Sequence, residues 1–214
     1  MKTSRLFFAL IAAIIALHAA AAVAATIDMD DPRRALGRED DVRVDAQLVQ
    51  DTISPGTPIG ITFQIRNLSA TPVAIADKVA SASYDSDTRT ITLSVGSEVP
   101  EDGLMPRMTT IAAGDTKIFR CGATPMINPA AVRAAAGAAP RYVQIKVTVL
   151  RDLTPFERLL SADTHASQAL SDELFDRWFE SNDTIFLNSV PVRYSPRAGG
   201  FAGADQRDAN SAGF

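Results

Sequence analysis

The chain is poor in the side chains that metal and nucleophile chemistry needs: its 214 residues hold one cysteine, one tryptophan and two histidines. A lone Cys121 rules out an intramolecular disulfide, so the fold must stand on its apolar core. Structural zinc takes four Cys or His ligands, and beyond residue 25 only Cys121 and His165 exist, which removes that class and leaves no expected metal or cofactor. A Ser-His-Asp arrangement would have to use His165, and neither a G-x-S-x-G elbow nor a supported Ser-x-x-Lys motif occurs. No pair of carboxylates is set apart by apolar surroundings, as glycosidase chemistry would want. The reading is therefore not an enzyme. Clustered basic residues are missing too, and with a net charge of −4 the chain has no face suited to phosphate backbones, so nucleic acid is not an expected partner.

What is present begins at the N-terminus. Lys2 and Arg5 precede an apolar stretch from Leu6 to Leu17, and Ala19 to Ala25 is rich in small residues, with Val23 and Ala25 at the −3 and −1 positions of a signal-peptidase cut. That order is the layout of a secretory signal peptide over residues 1–25 and places the mature protein in the periplasm or outside the cell. The apolar stretch falls short of the roughly 20 residues that span a bilayer, and no longer one follows, so no integral span is expected once the signal is removed. The acidic runs Asp28 to Asp31 and Glu39 to Asp41 read as a solvated, flexible leader over 26–40. Residues 41–194 form one domain-sized unit, and the Gly- and Ala-rich stretch 195–214 reads as a disordered tail.

Within that unit the two-residue period of half-buried strands recurs. Val42, Val44, Ala46 and Leu48 alternate with polar neighbours, and after the Pro/Gly turn SPGTP, Ile59, Ile61, Phe63 and Ile65 share a face. Val73 to Ala76, behind Pro72, suits an edge strand because proline cannot donate to a ladder. Val79 to Val95 reads as a hairpin about its DSDT turn, and Thr109 to Ile111 and Lys117 to Cys121 flank AAGD as another hairpin-like break. Tyr142 to Leu150 is the strongest strand, and Thr184 to Tyr194 the last. About eight short strands with turns between them predict an antiparallel β-sandwich.

Three helices interrupt the strands. Asn128 caps a turn starting at Pro129 and ended by Gly137; Thr154, Pro155 and Glu157 form a capping box opening a helix to Leu160; and Ser171 caps a third. In the third, Leu174, Phe175, Trp178 and Phe179 share one face while Asp172, Glu173, Asp176 and Glu180 share the other. Such a face either closes the core or receives a partner, and Phe175, Trp178 and Phe179 are the candidate anchors for an envelope protein, with Leu174 and Trp178 expected to be buried. Cys121 reads as a strand residue acting as a small hydrophobe, against a reactive or intermolecularly bonded thiol. Asp85 and Asp87 read as turn formers, not calcium ligands, because the next positions lack the remaining oxygen ligands. Asn67 and Asn182 match the glycosylation pattern but fit turn and helix-end chemistry.

The run ISPGTPIGITFQIRNLSATPVAI, followed by TTIAAGDTKIF, resembles bacterial exported immunoglobulin-like domains over about residues 42–121. The resemblance implies an immunoglobulin-like β-sandwich and export, with a helical insert at about 154–181 before the last strand as this chain's own departure. The immunoglobulin Cys and Trp core pair is missing, since Trp178 lies in the insert. The expected function is a non-catalytic binding or assembly module of the cell envelope. The alternatives are a periplasmic chaperone or inhibitor acting through a strand edge or loop, and an enzyme of unrecognised type.

Overall fold

The computed structural model describes residues 27–134, 138–161 and 168–196. Residues 1–25, read from the sequence as a signal peptide, most of the stretch 195–214 read as a tail, Gly137 and His165 lie outside the described residues. The fold is mainly β, with strands β1 (Arg34–Glu39), β2 (Val42–Leu48), β3 (Thr52–Ile53), β4 (Ile59–Asn67), β5 (Val73–Ile75), β6 (Ala80–Asp85), β7 (Thr90–Val95), β8 (Leu104–Met105), β9 (Thr109–Ile111) and β10 (Thr116–Ala123). Helix α1 (Pro129–Ala134) leads to β11 (Tyr142–Leu150), then come α2 (Glu157–Leu160), β12 (Gln168–Ala169), α3 (Asp172–Ser181), β13 (Asn182–Phe186), β14 (Val190–Pro191) and β15 (Arg193–Tyr194).

Two sheets share one core. The first is antiparallel, in the order β1-β2-β4-β10. Its inward residues Val42, Val44, Ala46 and Leu48 of β2 and Ile59, Ile61, Phe63 and Ile65 of β4 are buried, as their alternation predicts. In the second sheet β11 is central. The β6–β7 hairpin lies on one side of it, with β7 parallel to β11, and β13 and β14 lie antiparallel on the other. Beyond the end of β7, β5 takes its place beside β11 through Ala74 opposite Leu150, and β9 flanks β5. Ile91, Leu93 and Val95 meet Val143, Ile145, Val147 and Val149 in the same cluster as the first sheet's residues. Burial of this apolar area, at about 25 cal/mol per Å2, is the main term holding the sheets together.

Five local expectations need correction. Residues 34–39, placed in a flexible leader, form β1, because six of them pair with β2 and Ala35 enters the core. β5 is an interior strand, not an edge; Pro72 lies just before its ladder, where its missing N–H deprives nothing. The strands flanking AAGD do not pair with each other: β9 joins β5 in one sheet and β10 joins β4 in the other, so this turn is a crossover between sheets. The capping box at Thr154 does not form; Asp152 Oδ1 accepts the Thr154 N–H at 3.0 Å instead, and a 3-10 turn over Thr154–Phe156 precedes α2. The last strand is also broken into β13, β14 and β15, the final piece running parallel to β3.

One side of the stack is closed where β1 meets β13. The Asn188 side chain accepts the Leu36 N–H at 2.7 Å, and the Asn188 N–H donates to the Leu36 carbonyl at 3.1 Å. Gly37 permits this approach, since a Cβ there would stand 2.6 Å from the Phe186 carbonyl oxygen. A second close crossing lies at Gly96, whose φ of 91° and whose 2.4 Å virtual Cβ contact with the Thr148 carbonyl both exclude a side chain. There the chain leaves β7 and turns away from the sheet.

Candidate functional site

Helix α3 is mounted on that departing corner. Its N-terminus is capped as its sequence predicts, with Ser171 Oγ accepting the Leu174 N–H at 3.3 Å. Trp178 is 0% exposed and forms a second cluster with Ala74, Met105, Leu150 and Phe156, around which Leu153, Leu160, Leu170 and Leu174 pack. Its ring meets Phe156 edge-on at 5.6 Å, and its Nε1–H donates to the Ser97 carbonyl at 3.2 Å, so the polar atom of a fully buried indole is satisfied. The four apolar residues of the helix are thereby divided. Leu174 and Trp178 face the second cluster, and Trp178 is no surface anchor, because no part of it meets solvent. Phe175 and Phe179 lie at the rim, edge-to-face at 5.1 Å, with Phe179 48% exposed. Asp172, Glu173, Asp176 and Glu180 lie on the opposite face of the helix, beside that pair on one side, and are exposed, with Arg177 bound to Glu180 at 2.8 Å.

The other chemistry-bearing residues fall into structural settings. Cys121 is half-buried on β10 against the main core; burial first, and Asp77 second, push its thiol up to about 11. A thiol so placed is a poor nucleophile at neutral pH. Asp85 accepts the Asp87 N–H at 2.9 Å and the Thr88 hydroxyl at 2.8 Å, which accounts for this carboxylate as the organiser of its turn. Asn67 is buried, donating to the carbonyls of Thr71, Ile111 and Ala112 and accepting from the Ser69 N–H and hydroxyl. It ties the end of β4 to the crossover. Among the described residues no group of three or more His, Cys, Asp or Glu side chains could hold a metal, and no helix is long and apolar enough to cross a membrane.

One feature was not singled out from the sequence: a groove of about 570 Å3 over the outer face of the second sheet. Ser81, Ser94 and Lys146 lie along its floor, with Glu98, Leu104 and Arg107 among the residues of the 97–107 segment that wall it. Lys146 Nζ donates to Glu98 Oε1 at 2.8 Å, the Thr184 hydroxyl donates to the same oxygen at 3.2 Å, and the Thr148 and Thr184 hydroxyls stand 3.0 Å apart. The Lys146 hydrogen bond holds the Glu98 carboxyl below its usual range. The sequence signal was the polar half of strands whose apolar half reads as core. Its convergence into one surface depends on the parallel β7–β11 register, which no local pattern specifies. Comparison of the chain with models of protein families, with curated proteins and with solved structures finds no match.

Proposed function

We propose that this chain is an exported, non-catalytic binding module of the bacterial cell envelope, an immunoglobulin-like sandwich whose helical insert docks a partner through Phe175 and Phe179. The observation that carries this reading is the division of α3: Trp178 fixes the helix from below while Phe179 of the adjacent aromatic pair is exposed, with the acids of the helix along one side of it. An exposed aromatic on a rigid mount loses little freedom on binding, and aromatic residues dominate interface hot spots. The acids select a partner whose apolar pocket is rimmed by lysine or arginine. Export rests on the basic, apolar and small-residue order of residues 1–25.

A photo-crosslinking residue in place of Phe179 tests this in periplasm-containing cells. It should give a discrete adduct with an envelope protein that disappears when Asp176 and Glu180 are both changed to Arg. An adduct that survives the charge reversal, or none at all, overturns the docking reading. Recovery of uncleaved chain from the cytosol, in place of a mature N-terminus near Thr26, overturns export. A strand-edge mode has its own support: β6 closes its sheet with no ladder partner on its outer side among the described residues, although β10 of the first sheet passes close to it, and it carries only Asp85 as a charge. β10, by contrast, bears Lys117 and Arg120, charges of the kind that guard edges against pairing.

A further inference from the structure

The outer face of the second sheet carries a row of side chains that runs across the strands. Ser81 of β6 stands opposite Ser94 of β7, Ser94 is in register with Lys146 of β11, and Lys146 with Phe186 of β13. With strands about 4.8 Å apart, this row of four positions is about 14 Å long. It begins on the floor of the groove and ends at Phe186, whose ring is 60% exposed. A parallel row one step along the strands holds Ser83, Thr92 and Gln144. The inward neighbours of all these residues fill the core, so the rows are held on a surface that cannot rearrange without disturbing it.

We propose that this face binds a glycan, as an extended neutral oligosaccharide lying across the strands along Ser81, Ser94 and Lys146 with one sugar ring against Phe186. Sugar rings present hydroxyls at their edges and C–H groups on their faces. The row matches both, with hydroxyls that donate and accept, two more hydroxyls and the Gln144 amide in the row beside it, and an aromatic ring at its end. Charge decides between sugar classes. Lys146 is already neutralised by Glu98, and Glu101 and Asp102 on the wall leave acids in excess over Lys146 and Arg107, which disfavours a polyanion. Direction argues against a peptide: a peptide adding to a sheet runs along an edge strand and uses its free backbone groups, whereas this row crosses strands whose backbones are paired. The site is separate from the aromatic pair on α3, so either reading can fail alone.

The chain supplies its own reporter, because Trp178 is its only tryptophan and bonds the carbonyl of Ser97, a groove-lining residue. Calorimetric titration of the mature protein with neutral hexasaccharides of β-linked glucose and of β-linked N-acetylglucosamine, alongside tryptophan emission, should show saturable binding of at least one. Phe186→Ala and Ser94→Val should each weaken it about tenfold with an unchanged melting temperature, while Phe179→Ser leaves it intact. The proposal is overturned if neither hexasaccharide gives heat or an emission change, if binding ignores both face variants, or if a sulfated oligosaccharide or a basic peptide binds there in preference.

Discussion

Truncating Trp178 to alanine removes the largest fully buried side chain of the molecule. Large aromatic truncations in cores cost roughly 3–5 kcal/mol, combining lost transfer energy with the cavity left behind. Two terms place Trp178→Ala toward the upper half of that range. The edge-to-face contact with Phe156 at 5.6 Å is worth about 0.5–1.5 kcal/mol beyond area, and the Ser97 carbonyl loses its indole donor. For a domain of this size each kcal/mol moves the melting temperature by about 2–4 °C, so the variant should melt on the order of 8–20 °C lower. Thermal and urea unfolding followed by circular dichroism, which does not need the missing fluorophore, measure this. The wild-type indole should emit in the blue and resist iodide quenching. Phe156→Ala should cost a similar amount, and the double variant should fall short of the sum by about 0.5–1.5 kcal/mol, since the two rings share one contact. A Trp178→Ala protein that melts with the wild type, or a wild-type indole readily quenched by iodide, would refute the placement of this helix.

Three further perturbations read other parts of the fold. Asn67→Ala takes a donor from three carbonyls at the crossover and should cost roughly 2–4 kcal/mol by urea unfolding; a loss under 1 kcal/mol would mean those carbonyls find other partners. Burial pushes the Asp45 carboxyl up, but hydrogen bonds from Arg43 and Arg34, at 2.9 and 2.5 Å, outweigh it and hold the group below its usual range. A depressed folded value stabilises the protein above the unfolded value near about 3.9 and is lost as pH falls through the folded one, so Asp45→Asn should be less stable at neutral pH and the difference should close in acid; a gap independent of pH would contradict this. The Cys121 thiol, pushed up to about 11, should label slowly with maleimide at pH 7.5 and faster as pH approaches 11, and immediate labelling at pH 7.5 would show it to be accessible and ionised.

Which parts of this fold were readable follows from how much information lies within a strand. Tyr142–Leu150 was predicted to the residue because four apolar side chains alternate along it and both ends are marked by turns. β1 escaped notice because its sequence, RALGRE, commits only Ala35 and Gly37 to the interior, and its strand character comes from pairing with β2. The AAGD turn has the residues of a hairpin, but a turn specifies a change of direction and not which sheet receives the next strand. Ile111 and Phe119 on either side of it are both buried, each beneath a different sheet. The aromatic face of α3 was legible as a face, and so was the burial of Trp178, but Leu174, expected to be buried with it, is half-buried like Phe175, because one side of a three-turn helix cannot hide four large side chains. The row across the second sheet was not, because each of its four members comes from a different strand.

The corner at Gly96 and Ser97 links the two proposed surfaces physically. Gly96 allows β7 to end against the Thr148 carbonyl, and the chain then turns so that the Ser97 carbonyl faces Trp178 while both residues line the groove. The segment that walls the groove is thus held down by the same indole that mounts α3. Met105, within that segment's β8, belongs to the same cluster, and β8 pairs with β12 just before the helix. Helix, wall and second cluster therefore form one cooperative unit laid over the end of β11 and β5, smaller than the main core and joined to it through Leu150 and Ala74. A unit of this kind opens as a whole when it opens at all. Amide hydrogen exchange should accordingly give residues 97–108 and 172–181 one shared opening free energy below that of β4 and β11. Two well-separated values would mean that the groove wall and the helix are supported independently.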